Sequence, residues 1–250
     1  MAQAWLTLAT VLRVQGHYVD SDAACRQVGQ AGVRLHSLAC LAENAALRGD
    51  VAGARRTFDT LLADANLPPD TRVWLLTSVA ELESRDGQAP RAEMAFRAVL
   101  RLGPDSYAAL DYADFLLAQG RPRDALQVLK TETRTDAVLL RLAIAGTRGG
   151  TADAAHDVAE MRDRIALANE RPDAHIFHGR EQAMFALAID LAPARALALA
   201  RGNVERQREP IDILVFAEAA RASNEPAAIA EVRRLKATLQ LHDRRIDALL

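Results

Sequence analysis

Apolar residues return at steps of three and four along most of the chain, and the period is clearest between Val73 and Asp105. There Leu75, Leu76, Val79, Ala80 and Leu82 share one face of a helix predicted over 74–85. Gly87 interrupts the period where a helix C-terminus favours a residue without a Cβ. A second helix is predicted from about Pro90, a residue suited to a first turn, with Ala92, Ala95, Phe96, Val99 and Leu100 on its apolar face. Gly103-Pro104-Asp105 stops it. A helical hairpin of this size cannot bury its own apolar face and requires copies of itself on either side.

Such copies are present. With Gly87 as the reference turn, equivalent turns fall at Gly16, Gly49, Gly120, Gly150, Leu191 and Asn224, at successive spacings of 33, 38, 33, 30, 41 and 33 residues. Seven residues before each turn stand Ala9, Ala42, Ala80, Ala113, Ala143, Met184 and Ala217. Five after it stand Ser21, Ala54, Ala92, Ala125, Ala155, Ala196 and Ile229, a second small column. Nine after it, Cys25, Phe58, Phe96 and Leu129 are bulky and apolar, and the column fades in the later copies. Small residues where helices cross closely, beside large ones that fill the gaps, are what repeated helix packing requires.

Composition agrees with a helical chain. Of 250 residues 50% are apolar but only 4% aromatic, and the abundant alanine favours close-packed helices over strands. The net charge of -2 gives no reason to expect nucleic acid as a partner. The longest apolar run, 183–200, is interrupted by Asp190, Pro193 and Arg195, so no membrane span is expected. The start MAQAWLTLATVLRVQGHY lacks the basic residues that precede the apolar core of a secretory signal, and the expected location is the cytoplasm. Cys25 and Cys40 are too few and too far apart for a zinc site or a disulfide framework, and are expected as buried thiols acting as small hydrophobes.

The columns Trp5-x-x-Leu8-Ala9, the Gly16-x-Tyr18 turn, and Ala92-x-x-x-Phe96 followed by Pro104 resemble the tetratricopeptide repeat. That repeat has a period of about 34 residues and the pattern W-x2-L-G-x2-Y, A-x3-F, P. The resemblance is good from Ala4 to about Glu132 and loose afterwards, where Gly146, Arg162 and Asn203 replace apolar positions and the second helix of the fifth copy reads long. The C-terminal part is similar to uncharacterised bacterial repeat proteins, a resemblance that carries no function. The expected fold is an all-α, right-handed superhelical solenoid of about seven helix-turn-helix repeats in one domain, 1–250. Regular repeats are expected over 4–134, degenerate ones over 135–238 and a capping helix over 239–250.

The resemblance implies a concave groove lined by first helices, which holds a peptide or protein segment. Its groove positions lie thirteen, ten, six, three and two residues before the turn. Thirteen before are Gln3, His36, Trp74, Tyr107, Ala137, His178 and Ile211; six before are Thr10, Glu43, Glu81, Asp114, Ile144, Phe185 and Glu218. Leu6, Ala39, Thr77 and Leu110 stand ten before, with Arg13, Arg85, Arg148 and Arg221 at the edge. The partner-binding candidates are therefore His36, Glu43, Trp74, Glu81, Arg85, Tyr107, Leu110, Asp114 and His178. Five have a second reading: Trp74 and Tyr107 as cover for the preceding repeat's second helix, and Glu43, Glu81 and Asp114 as a solvated face. The family's carboxylate clamp is unmatched, because apolar residues and Thr77 fill its lysine column and acids its asparagine column. A basic or apolar segment is thus expected in preference to an acidic tail.

For chemistry, His175-x-x-His178-x-x-Glu181 with His156 is the one tempting metal cluster. The H-E-x-x-H order is absent and steps of three drift around a helix, so neither metal nor cofactor is expected. Hydrolase and nucleotide-binding motifs are missing as well, and no enzyme is expected. Trp5, Leu8 and Leu12 begin almost at once without a polar cap, which offers an alternative role: self-assembly through the N-terminal edge into a homo-oligomer.

Overall fold

A computed structural model describes residues 1–170 and 179–250, and every regular element among them is helical. Helices α1 (Ala2–Val14) and α2 (Tyr18–Gln30) form the first hairpin, α3 (Arg34–Leu47) and α4 (Val51–Leu62) the second. The third is α5 (Pro69–Arg85) with α6 (Ala89–Leu102), and the fourth is α7 (Ser106–Ala118) with α8 (Pro122–Leu129). Then come α9 (Asp136–Gly149) with α10 (Ala154–Asn169), α11 (Gly179–Ala188) with α12 (Pro193–Asn203), and α13 (Pro210–Ala222) with α14 (Pro226–Leu239). A short α15 (Arg244–Asp247) ends the chain.

All seven positions read as turns have positive φ: 65° to 97° in the five glycines, and 50° at both Leu191 and Asn224. The left-handed region is where a helix ends at little cost if no Cβ is present, which is why glycine dominates the column. Helix starts are equally explicit. Proline stands in the first turn of α5, α6, α8, α12, α13 and α14, where its missing N–H removes no helical bond. Asp50, Asp105 and Thr135 cap α4, α7 and α9 by accepting from the backbone N–H of Gly53, Ala108 and Val138.

From α1 to α10 and again from α11 to α14 each helix packs on its successor, and first helices also touch one another, α1 on α3, α3 on α5, and so on to α13. The first helices therefore make one continuous inner wall, the arrangement of a solenoid. Ala9, Ala80, Ala113 and Ala143 are fully buried at the crossings, and Cys25, Phe58, Phe96 and Leu129 fill the spaces between. Inter-repeat ion pairs tie neighbours together: Arg55 on α4 grips Glu83 on α5 at 2.7 and 2.8 Å, and Arg141 on α9 grips Asp114 on α7 at 2.7 and 3.0 Å.

The fifth repeat corrects the register read from the sequence. Six of the second helices begin two residues after the turn, whereas α10 begins at Ala154, four after Gly150. The two added residues move the buried column, so Ala155 is exposed while Asp157 and Met161 are buried in its place. Asp157 is tolerated there because Arg134 donates to it at 2.9 Å.

Three further features differ from expectation. Cys25 and Cys40 are fully buried, but as a disulfide joining α2 to α3 and not as thiols. The helices cross with the two Cα atoms 5.7 Å apart, the usual separation for such a bond. Residues 239–250 form no continuous capping helix: α14 stops at Leu239, Gln240 turns left-handed at φ 52°, and the segment folds back with Leu241 and Ile246 buried. It lands on the turns of the first three repeats. The His242 N–H donates to the Leu47 carbonyl at 2.7 Å, and His242 and Arg244 both face Asp86. Just before α13 the Arg208 N–H donates to the Val14 carbonyl, also at 2.7 Å. One core cluster accordingly holds Tyr18 and Leu47 together with Val204, Leu239, Leu241 and Ile246, so the last repeat closes onto the first two.

Candidate functional site

The inner wall of first helices carries two adjoining half-open chambers, of about 660 and 440 Å³. The larger lies between α1, α3, α5 and the start of α7, and the smaller between α5, α7, α9 and α13. Glu81, Arg85 and Tyr107 line both, and so do Glu209 and Pro210 from the start of α13, which face them across the groove.

In the larger chamber the walls are held by a network around Glu43. Its carboxylate accepts from Arg13, from the Trp74 indole N–H at 3.1 Å and from the Ser78 hydroxyl at 2.5 Å. The Trp74 ring also stacks on His36 at 5.3 Å between centroids, while the buried His36 Nδ1 has no partner. Trp74 packs on the cluster that holds Ala54 and Phe58 of the preceding repeat's α4 together with Leu75 of its own helix, and it also lines the chamber. A ring fixed from two sides loses little freedom on meeting a ligand.

At the junction Glu81 accepts from Arg85 at 3.3 Å and from the Tyr107 hydroxyl at 3.0 Å. The Glu81 charge raises the hydroxyl of the exposed Tyr107 above its usual range and keeps it a donor. In the smaller chamber burial, then the nearby Glu81 and Asp114, push Asp111 well above the carboxylate range. Asp114 is committed to Arg141.

Of the residues singled out in the sequence, Glu43, Trp74, Glu81, Arg85 and Tyr107 come together in the larger chamber, with His36 behind Trp74. Asp114 lines the smaller one. Leu110 lines neither and is half-buried against the core around Phe96, Tyr112 and Leu140. His178 and His175 lie outside the described residues; among the described residues no group of three or more His, Cys, Asp or Glu is arranged to hold a metal.

The column reading passed over two inward-facing residues. Asp111 and Ser78 both stand nine before their turns, four residues after Tyr107 and Trp74 and three before Asp114 and Glu81, so helical steps of three and four keep them on the same face. Glu209 and Pro210 had no local signal at all, since they reach the site only when the solenoid closes on itself.

No family model matches the sequence, and no curated protein is similar to it. Among solved structures the chain is similar to a tetratricopeptide repeat protein from Parabacteroides merdae, with a TM-score of 0.55 and 14% identity over 100% of this chain and 97% of that one. No helix among the described residues is long and apolar enough to cross a membrane. The chain is a helical-repeat solenoid with the tetratricopeptide fold.

Proposed function

We propose that the chain is a non-catalytic scaffold that binds a segment of another protein on its concave face, through Trp74, Tyr107, Glu81 and Arg85. The supporting observation is the larger chamber itself, where a braced indole, a phenol and two ion-paired arginines face one space. Aromatic and arginine side chains held in place are the groups that dominate binding energies at protein interfaces. The test is capture from native extract with the wild-type chain and with the Trp74→Ala, Tyr107→Ala double variant. A partner retained by the first and lost by the second, at unchanged helicity, supports the groove; equal capture by both removes it.

A second reading is a self-assembling subunit. Trp5, Leu8 and Val11 stand exposed on α1, with no helix packed over that face. Light scattering over a dilution series separates the two, since assembly through α1 requires a concentration-dependent mass that a Leu8→Glu change abolishes. The Cys25–Cys40 bond also bears on location: we propose an oxidising compartment in place of the cytoplasm expected from the sequence, because cytoplasmic thiols are kept reduced.

A further inference from the structure

The closure of the solenoid changes what its groove can take. Glu209 and Pro210 stand across the inner wall, held by the Arg208 to Val14 bond behind them and by Arg180, which pairs with Glu209 at 2.7 Å. Glu209 and Pro210 therefore share both pockets with Glu81, Arg85 and Tyr107 and narrow the groove where a helix or an extended strand would run. Chambers of about 660 and 440 Å³ instead match the volume of a few side chains.

Charge selects the occupant. The two linings together hold eight carboxylates and four guanidiniums, with no lysine or histidine, although the whole chain is nearly neutral at -2. The arginines are already engaged: Arg13 with Glu43, Arg85 with Glu81, Arg245 with Asp243, and Arg148 on the Leu117 carbonyl. Asp111 and Glu218 have no ion-pair partner among the described residues, and Asp111 sits beside Glu81 and Asp114. A cation entering here meets these carboxylates and passes the Trp74 and Tyr107 rings, whose faces attract it further.

We infer that the groove, narrowed by Glu209 and Pro210, receives the tip of a partner polypeptide carrying arginine or lysine side chains, inserted end-first past Trp74 towards Asp111. This rests on the groove-binding reading above and narrows it. The occupant is a basic chain end or loop tip, recognised over one or two side chains.

The chain offers its own reporter. It contains two tryptophans, so Trp5→Phe leaves Trp74 as the sole indole. Three short peptides of one scaffold, ending in Arg-Arg-amide, Leu-Leu-amide and Glu-Glu-amide, are titrated into this variant while Trp74 emission and calorimetric heat are followed. The expected result is saturable change with the Arg-Arg tip alone, weakened about tenfold or more by Asp111→Asn, as loss of one partner from a partly desolvated charge pair requires, and weakened less by Glu218→Gln, whose carboxylate is exposed. Heat of binding with silent Trp74 and no effect of either variant would place the contact elsewhere and overturn the proposal. Trp74 response to the Leu-Leu or Glu-Glu tip in preference to Arg-Arg overturns the basic class and leaves groove binding standing. No response or heat from any of the three overturns both.

Discussion

Gly16 is the seat of Leu239: a Cβ at Gly16 would stand 2.6 Å from Leu239 Cδ2 and 3.3 Å from Arg208 Cδ. The turn of the first hairpin is thus the surface on which the end of the last hairpin rests. Gly16→Ala meets two penalties, the left-handed φ of 79° and the displacement of a buried leucine. Gly120→Ala meets only the first, with φ 69° and nothing within 4 Å of the new methyl. The strain common to both is about 1–2 kcal/mol, and displacing Leu239 adds about 1–3 kcal/mol at Gly16 alone. Urea unfolding of the two variants checks this. Equal destabilisation would mean that the seam between the ends does not belong to the cooperative unit.

Leu191 gives the opposite sign. It holds φ 50° with an exposed side chain, so its Cβ strain is not recovered by packing. Leu191→Gly removes strain of about 1–2 kcal/mol and adds about 0.5–1 kcal/mol of unfolded-chain entropy. The expected net effect is stabilisation of up to about 1 kcal/mol, visible as a raised urea midpoint. A lowered midpoint would show that Leu191 makes a contact worth more than its strain.

These turns also show how far the fold was legible. The seven turn positions follow from local chemistry, since a left-handed residue must sit at each helix end, and glycine marks five of them. The buried alanines follow likewise from helix crossings. What was not legible depends on lengths or distant contacts. The two added residues after Gly150 shift α10 relative to α9 without changing the apolar period, so Ala155 and Asp157 exchanged places. Cys25 and Cys40 meet only through the packing angle of α2 on α3. The groove columns found Trp74 and Glu81, but Glu209 and Pro210 enter from the far end of the chain, and no spacing encodes that.

The disulfide predicts a measurable loss on reduction. It closes a 15-residue separation between α2 and α3, and a loop of that size is worth about 3 kcal/mol. Cys25→Ala with Cys40→Ala, or strong reductant, is expected to lower unfolding free energy by about 2–4 kcal/mol. Maleimide labelling in denaturant distinguishes the states directly, because the oxidised chain takes up no label and the reduced chain takes up label at both cysteines. Full labelling without reductant of protein purified from its native source would exclude both the bond and the oxidising compartment.

Asp111 links the groove to pH. Burial, with Glu81 and Asp114 adding to it, raises its folded-state pKa well above that of an aspartate in the unfolded chain, while Arg141 opposes the shift. The folded protein therefore binds this proton more tightly than the unfolded one, so stability from Asp111 is full below the unfolded pKa of about 3.9. It is lost as pH rises through the folded pKa, when an unneutralised carboxylate forms beside Glu81 and Asp114. Asp111→Asn mimics the neutral form at every pH and retains a donor for Glu81. The two proteins should unfold at the same urea concentration near pH 4, with the variant increasingly the more stable on going to neutral pH. Glu218 is the same in both proteins and cancels in the comparison. A difference that is constant with pH, or that favours the wild type at neutral pH, would mean that Asp111 carries its charge in a compensated site and that no cation is wanted there.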